Sequence, residues 1–110
     1  MTKNVIDGFN AAFRTHDPSG LPALVADDCA LENVDGAAYT GPGEALRFWS
    51  ALAEDKTLTW TVEDVSVQGD QAVIRWRFVS GGAVTRGLNL MRLRDGLIAE
   101  ASGYLKVGMG

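Results

Sequence analysis

Few side chains in this sequence are equipped for chemistry, and their types narrow what that chemistry is. There is one histidine, His16, and one cysteine, Cys29. A zinc site built mainly from His and Cys is thereby excluded, and a lone cysteine closes no internal disulfide. No metal site and no cofactor is expected. His16 has the pKa range of an acid–base group, but it stands at a helix end before Asp17-Pro18, where an imidazolium favours the helix dipole. Cys29 shares a strand face with Asn33 and has no histidine near it in sequence, which predicts a buried, inert thiol. Asp35 is the candidate general base; its competing role is that of a turn residue before Gly36. Tyr39 brings a phenol to the same region. Asn33 and Asn89 are either core amides satisfied by backbone or a pair that hydrogen-bonds a ligand carbonyl, as orienting groups or oxyanion donors. Trp49, Trp60 and Trp76 are either core filler or the walls of a site for a flat apolar ligand. Phe9, Phe13 and Met91 join them on that lining. Small residues on a facing strand, Ala101 and Gly103 among them, leave room for such a ligand.

Composition sets the frame in which these residues act. The chain has 110 residues, 46% hydrophobic and 22% charged, with 14 acidic against 10 basic side chains and a net charge of −4. That length suits one domain over residues 1–110, large enough for a core without disulfides or metal. The negative balance disfavours nucleic acid and anionic membranes as partners. No apolar run approaches the roughly 20 residues of a membrane span, and Met1-Thr-Lys-Asn-Val leads into no signal-peptide core. The expectation is a cytoplasmic protein.

The elements that must position the candidates follow from periodicity. Val5, Ile6, Phe9 and Phe13 recur at helical spacing, and Asp17-Pro18 ends that helix. Leu21, Leu24 and Val25 mark a second short helix, capped by Ser19 or Asp17 and closed at Asp27-Asp28. Cys29–Asn33 alternates as a short strand, Asp35-Gly36 turns, and Ala37–Thr40 is a second strand. A third helix runs from about Gly43 to Glu54. In the second half, Leu58, Trp60 and Val62 alternate, as do Val65 and Val67, but out of phase. A bulge near Glu63-Asp64 brings both sets to one face.

Gly81-Gly82 suits a two-residue hairpin turn, since glycine takes positive φ without steric cost. This register sets Trp76 opposite Gly87, Ile74 opposite Asn89 and Ala72 opposite Met91. Arg94-Asp95-Gly96 permits two registers. A three-residue loop places Leu97, Ala99, Ala101, Gly103 and Leu105 on the Trp76 face, an all-apolar or small set, and is therefore the expected one. Three helices followed by a long antiparallel meander make an α+β fold, with the helices on one sheet face. Strands this long curl, so sheet and helices enclose a cone-shaped space.

With these elements in place, the sequence resembles the nuclear-transport-factor-2-like superfamily, and within it the SnoaL-like polyketide cyclases and their ketosteroid-isomerase relatives. The matching pieces are Phe9-Asn-Ala-Ala-Phe13 with His16-Asp17, Leu24-Val-Ala-Asp-Asp28, Gly41-Pro-Gly-Glu-Ala-Leu46, Val65-Ser-Val-Gln-Gly-Asp70, and Arg94-Asp-Gly-Leu-Ile-Ala-Glu100 with Tyr104. The resemblance implies a cystatin-like fold, a strongly curved sheet wrapped around three helices with an apolar pocket in the cone. It also implies a homodimer through the outer sheet face. The isomerase's catalytic set, an aspartate base with a tyrosine and a protonated aspartic acid, falls by motif on Asn33, Phe9 and Asn89. An amide is no general base, and Phe9 has no hydroxyl. The acid of the limonene-epoxide-hydrolase branch falls on Gly103, which cannot activate water either.

The leading expectation is a small-molecule-binding domain whose apolar pocket takes a small hydrophobic or cyclic ligand. Two alternatives stay open. One is a cofactor-independent cyclase, isomerase or lyase-like enzyme using Asp35 as base and the amides as oxyanion donors. The other is a non-catalytic dimeric scaffold or ligand carrier.

Overall fold

The structure, a computed structural model, describes residues 1–108. Helix α1 (Thr2–Thr15) buries Ile6, Phe9, Ala12 and Phe13, the apolar stripe its spacing demands. It ends at His16, whose backbone is left-handed at φ 56° and whose Nδ1 lies 3.0 Å from the carbonyl oxygen of Ala53. A carbonyl only accepts, so Nδ1 carries the hydrogen and ties the end of α1 to the end of the next α-helix. The predicted second helix is a 3₁₀ segment, Pro18–Ala23, capped by the Asp17 carboxylate accepting from the Ser19 N–H at 3.0 Å.

Strand β1 (Val25–Glu32) begins earlier than the alternation predicts. Val25 pairs with Ile98 rather than extending a helix, and Asp27-Asp28 lie within the strand instead of closing the segment before it. Both aspartates stay exposed because the pairing register shifts between Val25 and Ala30, and Asp28 meets Arg94 at 2.6 Å. Strand β2 (Ala38–Tyr39) is a two-residue edge on β1, and helix α2 (Glu44–Glu54) buries Ala45, Trp49 and Ala53. Strands β3 (Thr59–Gln68), β4 (Gln71–Ser80), β5 (Ala83–Arg94) and β6 (Leu97–Leu105) complete a sheet of order β2-β1-β6-β5-β4-β3. All neighbours are antiparallel except β1 and β6, which run parallel. This is a mixed α+β fold, a curved open sheet with the helical elements on one face. No helix among the described residues is long and apolar enough to cross a membrane.

The β4–β5 hairpin has the register read from Gly81-Gly82. Trp76 stands opposite Gly87, Ile74 opposite Asn89 and Ala72 opposite Met91. A Cβ on Gly87 would lie 2.6–2.7 Å from the Trp76 ring and would also meet the Tyr104 carbonyl, so the indole occupies space that only glycine leaves. The bulge in β3 falls between Val62 and Asp64, at Glu63. Arg77 and Arg86 face each other across β4 and β5, a repulsive pair. Glu63 relieves it through two hydrogen bonds from the Arg86 guanidinium, at 3.1 and 3.0 Å. These bonds hold the Glu63 carboxyl below its ordinary range.

The β5–β6 turn corrects the expected loop. Asp95 (φ 53°) and Gly96 (φ 77°) form a two-residue turn, with Arg94 paired to Leu97 and Leu93 to Ile98. A bulge at Ala99 then shifts the phase, so that Ala101, Gly103 and Leu105 stand opposite Met91, Asn89 and Gly87 as expected. Ile98, fully buried, takes the inward place that the three-residue loop assigned to Leu97. Both patterns in the sequence are thus satisfied, one on each side of the bulge.

Two outcomes test this packing. Gly87→Ala should lower stability by about 2–3 kcal/mol through overpacking against Trp76, read as a fall in the thermal or denaturant midpoint. Wild-type stability in that variant would show that the strand shifts freely at this point. Cys29 is 1% exposed, and burial pushes its thiol up to about 11. A thiol reagent at pH 8 should therefore label it only once the protein is unfolded; rapid labelling of the native protein would contradict that burial.

Candidate functional site

The curl of the sheet leaves a cavity of about 500 Å³ between it and the two α-helices. Helix α1 contributes Phe9 and Phe13, and α2 contributes Phe48, Trp49 and Leu52. On the sheet side stand Trp60 and Val62 of β3, Ile74, Trp76 and Phe78 of β4, and Leu31 of β1. The rings form a connected arc. Trp49 meets Phe9 edge-on at 4.9 Å, Phe9 meets Phe13 at 5.0 Å, and Phe13 meets Trp60 edge-on at 5.4 Å. Trp60 then contacts Trp76 at 5.7 Å and Phe78 at 4.8 Å. Tilted and edge-on pairs of this kind contribute about 0.5–1.5 kcal/mol each beyond area burial, so the wall is stiff as well as apolar.

Asn33 and Asn89 both line this cavity. Their amide orientations follow from their partners. Trp76 Nε1–H only donates, so the atom of Asn89 that it reaches at 3.1 Å is the oxygen, which leaves the Asn89 NH₂ as the available donor. Asn33 is the reverse. Its Nδ2 donates to Asp35 Oδ1 at 3.2 Å, and its carbonyl oxygen remains as acceptor. The indole of Trp60 has a different standing: its Nε1 is a buried side-chain polar atom without a hydrogen-bond partner, alone in this among the described residues.

Gly103 joins the lining, and the space above it is already taken. A Cβ there would lie 2.9 Å from Val34 Cγ1 and 3.1 Å from Asn89 Oδ1. The segment carrying Asn33 and Val34 therefore comes down against the same point as Asn89. A carboxylate could stand at position 103 only by displacing both.

Other candidates lie off the cavity wall. Asp35 is exposed, and its carboxylate also accepts the Ala37 N–H at 3.0 Å, the geometry of an Asx turn. It reaches the cavity only through Asn33. Tyr39 stacks on Phe48 at 4.5 Å, behind the lining. Met91 and Ala101 are core residues, each 3% exposed, and neither belongs to the lining. His16 is engaged with Ala53. No carboxylate, imidazole or thiol lines the cavity among the described residues, and no cluster of His, Cys, Asp and Glu there is arranged to hold a metal ion.

Several lining residues escape sequence reasoning. Phe48 and Leu52 stand four apart on α2 and so share one helix side; both are apolar in sequence, but nothing local marks them as wall rather than core. Val34 follows the strand, where alternation has ended. Asn10 and Arg14 sit beside the apolar stripe of α1, and a helical pattern assigns them to solvent; only the position of the cavity mouth brings them into the lining.

The comparisons with known proteins agree with this fold. No curated protein matches the sequence. A nuclear-transport-factor-2-like protein of unknown function from Mesorhizobium loti is 40% identical over 96% of this chain and 91% of its own, with a TM-score of 0.92. A proposed ketosteroid isomerase from Kribbella flavida (18% identity, 99% and 80% coverage, TM-score 0.84) shares the fold. So does a proposed polyketide cyclase from Sinorhizobium meliloti, at 22% identity, 91% and 93% coverage and a TM-score of 0.76. The family model described as a SnoaL-like domain matches residues 6–101. The chain belongs to the SnoaL-like domain family.

Proposed function

We propose that this protein binds a small, flat, largely apolar molecule, cyclic in class, within the aromatic cavity. The observation that carries the reading is the lining itself. A space of about 500 Å³ is walled by aromatic rings and holds two inward amides but no carboxylate, imidazole or thiol among its described residues. Small-molecule pockets have this size and this composition, apolar walls with a few placed polar groups. The amides offer complementary groups, a donor from Asn89 and an acceptor from Asn33. A ligand with a carbonyl at one point and a hydroxyl at another would engage both. The unpartnered Trp60 Nε1 adds a further donor, satisfied if its ring turns toward a ligand oxygen.

The cyclase- or isomerase-type enzyme is the second reading, favoured by the hydrogen bond between Asn33 and Asp35. In it Asp35 is the base, reaching a ligand after its turn opens, and Asn89 stabilises the oxyanion. The two readings part on Asp35→Asn, which abolishes turnover in the enzyme and leaves binding intact in the carrier. For the ligand itself, saturable quenching of tryptophan emission is expected with at least one class among steroids, aromatic polyketides and aromatic ketones. Unchanged emission across that panel would remove the binding reading.

The outer sheet face supports a further proposal, that two copies pair through it. Leu90 and Tyr104 are 44% and 50% exposed there, beside Leu88. Arg75 lies opposite Asp64 and Arg92 opposite Glu100, so a two-fold arrangement can set arginines of one copy against acids of the other. Sedimentation at micromolar concentration should give a dimer, weakened by Leu90→Lys; a monomer at high micromolar concentration would refute it. Cys29, buried and unpaired, fits the reducing cytoplasm proposed as its location.

A further inference from the structure

The rim of the cavity differs chemically from its interior. Helix α1 presents two adjacent rows to the opening, Phe9 with Phe13 and, one residue on, Asn10 with Arg14. Each row joins positions four apart, which stack one turn above the other on the same helix face. Phe13 is buried, whereas Arg14 is exposed, so the guanidinium stands where the apolar wall meets solvent. Arg14 is the one ionisable side chain among the described lining residues. It has no ion-pair partner among them, unlike Lys3, Arg86 and Arg94.

We infer that the ligand is an anion, a flat apolar body carrying a carboxylate or an equivalent acidic group that stays at the rim and pairs with Arg14, with Asn10 as a second donor. The inference rests on the cavity being the ligand site. A guanidinium binds a carboxylate through parallel N–H bonds stronger than neutral ones, and the apolar wall beside it concentrates its field. No lining carboxylate opposes it. The net charge of −4 acts against an approaching anion, but at physiological salt charges more than about 8 Å away are largely screened, so the adjacent guanidinium dominates. A cationic ligand would meet an uncompensated like charge at Arg14.

Arg14 also lies in the last turn of α1, where a cation stabilises the helix terminus. That role affects thermal stability and leaves ligand selectivity untouched. The two are separated with matched probes, 2-naphthoate and its neutral amide, titrated by tryptophan fluorescence or calorimetry. The carboxylate should bind about five- to tenfold more tightly than the amide, and the difference should shrink with added salt. Arg14→Gln should erase the difference while keeping the affinity for 2-naphthamide. Lys3→Gln, the same charge change on the same helix, should preserve it. Equal affinities in the wild type, or a preference that survives Arg14→Gln, would overturn the inference while leaving the cavity as a binding site. Failure of both probes to bind would overturn the inference, and unchanged emission across the steroid, polyketide and ketone panel as well would overturn the reading it rests on.

Discussion

The packing of Trp76 across Gly87 is the contact on which the rest of the concave face depends. A large indole can lie flat against a neighbouring strand only where that strand offers no Cβ, and the hairpin register puts glycine at that place. Slipping the register by one residue would turn Ile74, Trp76 and Phe78 to solvent and their charged neighbours inward. With the indole held there, its N–H reaches Asn89 on β5, and that bond fixes which end of the amide faces the cavity. The aromatic arc then continues from Trp76 through Trp60 to the helices. One absent methyl group thus governs the position of the wall and of its main polar group.

Two bulges let the long strands keep this face apolar. In β3 the bulge at Glu63 brings Val62 and Val65 into phase. It also places a carboxylate where it relieves the facing guanidinia of Arg77 and Arg86. In β6 the bulge at Ala99 reconciles a tight Asp-Gly turn with an inward Ala101 and Gly103. A sheet without these irregularities would bury charge or expose Ile98. The bulges are therefore part of how the cavity forms, since they keep small residues under it and large ones beside it.

The same geometry accounts for the residues found at Phe9 and Gly103, where the resemblance led one to look for catalytic groups. Phe9 stands edge-on to Trp49 and tilted against Phe13, so the ring lacking a hydroxyl belongs to the arc. At Gly103 the side-chain volume is filled by Val34 and the Asn89 amide. A carboxylate inside such a wall would bear a desolvation penalty, and the one lining cation, Arg14, stands out at the rim. Amides tolerate the site because each already shares a hydrogen bond, Asn89 with Trp76 and Asn33 with Asp35.

Much of the fold was legible because it rests on local rules. Helical spacing placed α1 and α2, Gly81-Gly82 set the β4–β5 register, and the phase change at Glu63 announced its bulge. Legibility failed where local signals competed. Asp27-Asp28 read as a terminator, yet a register shift lets both carboxylates stay in water inside a strand. Asp95-Gly96 permitted two turns, and the structure uses one turn and the other's phase. For the site, the sequence determined the kinds of groups, aromatic rings and two amides, because composition alone limits them. Which of these share a wall was decided by the tertiary structure. The placement of Val34 over Gly103, of Tyr39 behind Phe48 and of Arg14 at the rim depends on how strongly the sheet curls and where the helices rest on it. That curvature sums small twists over four long strands, and no single stretch of sequence carries it.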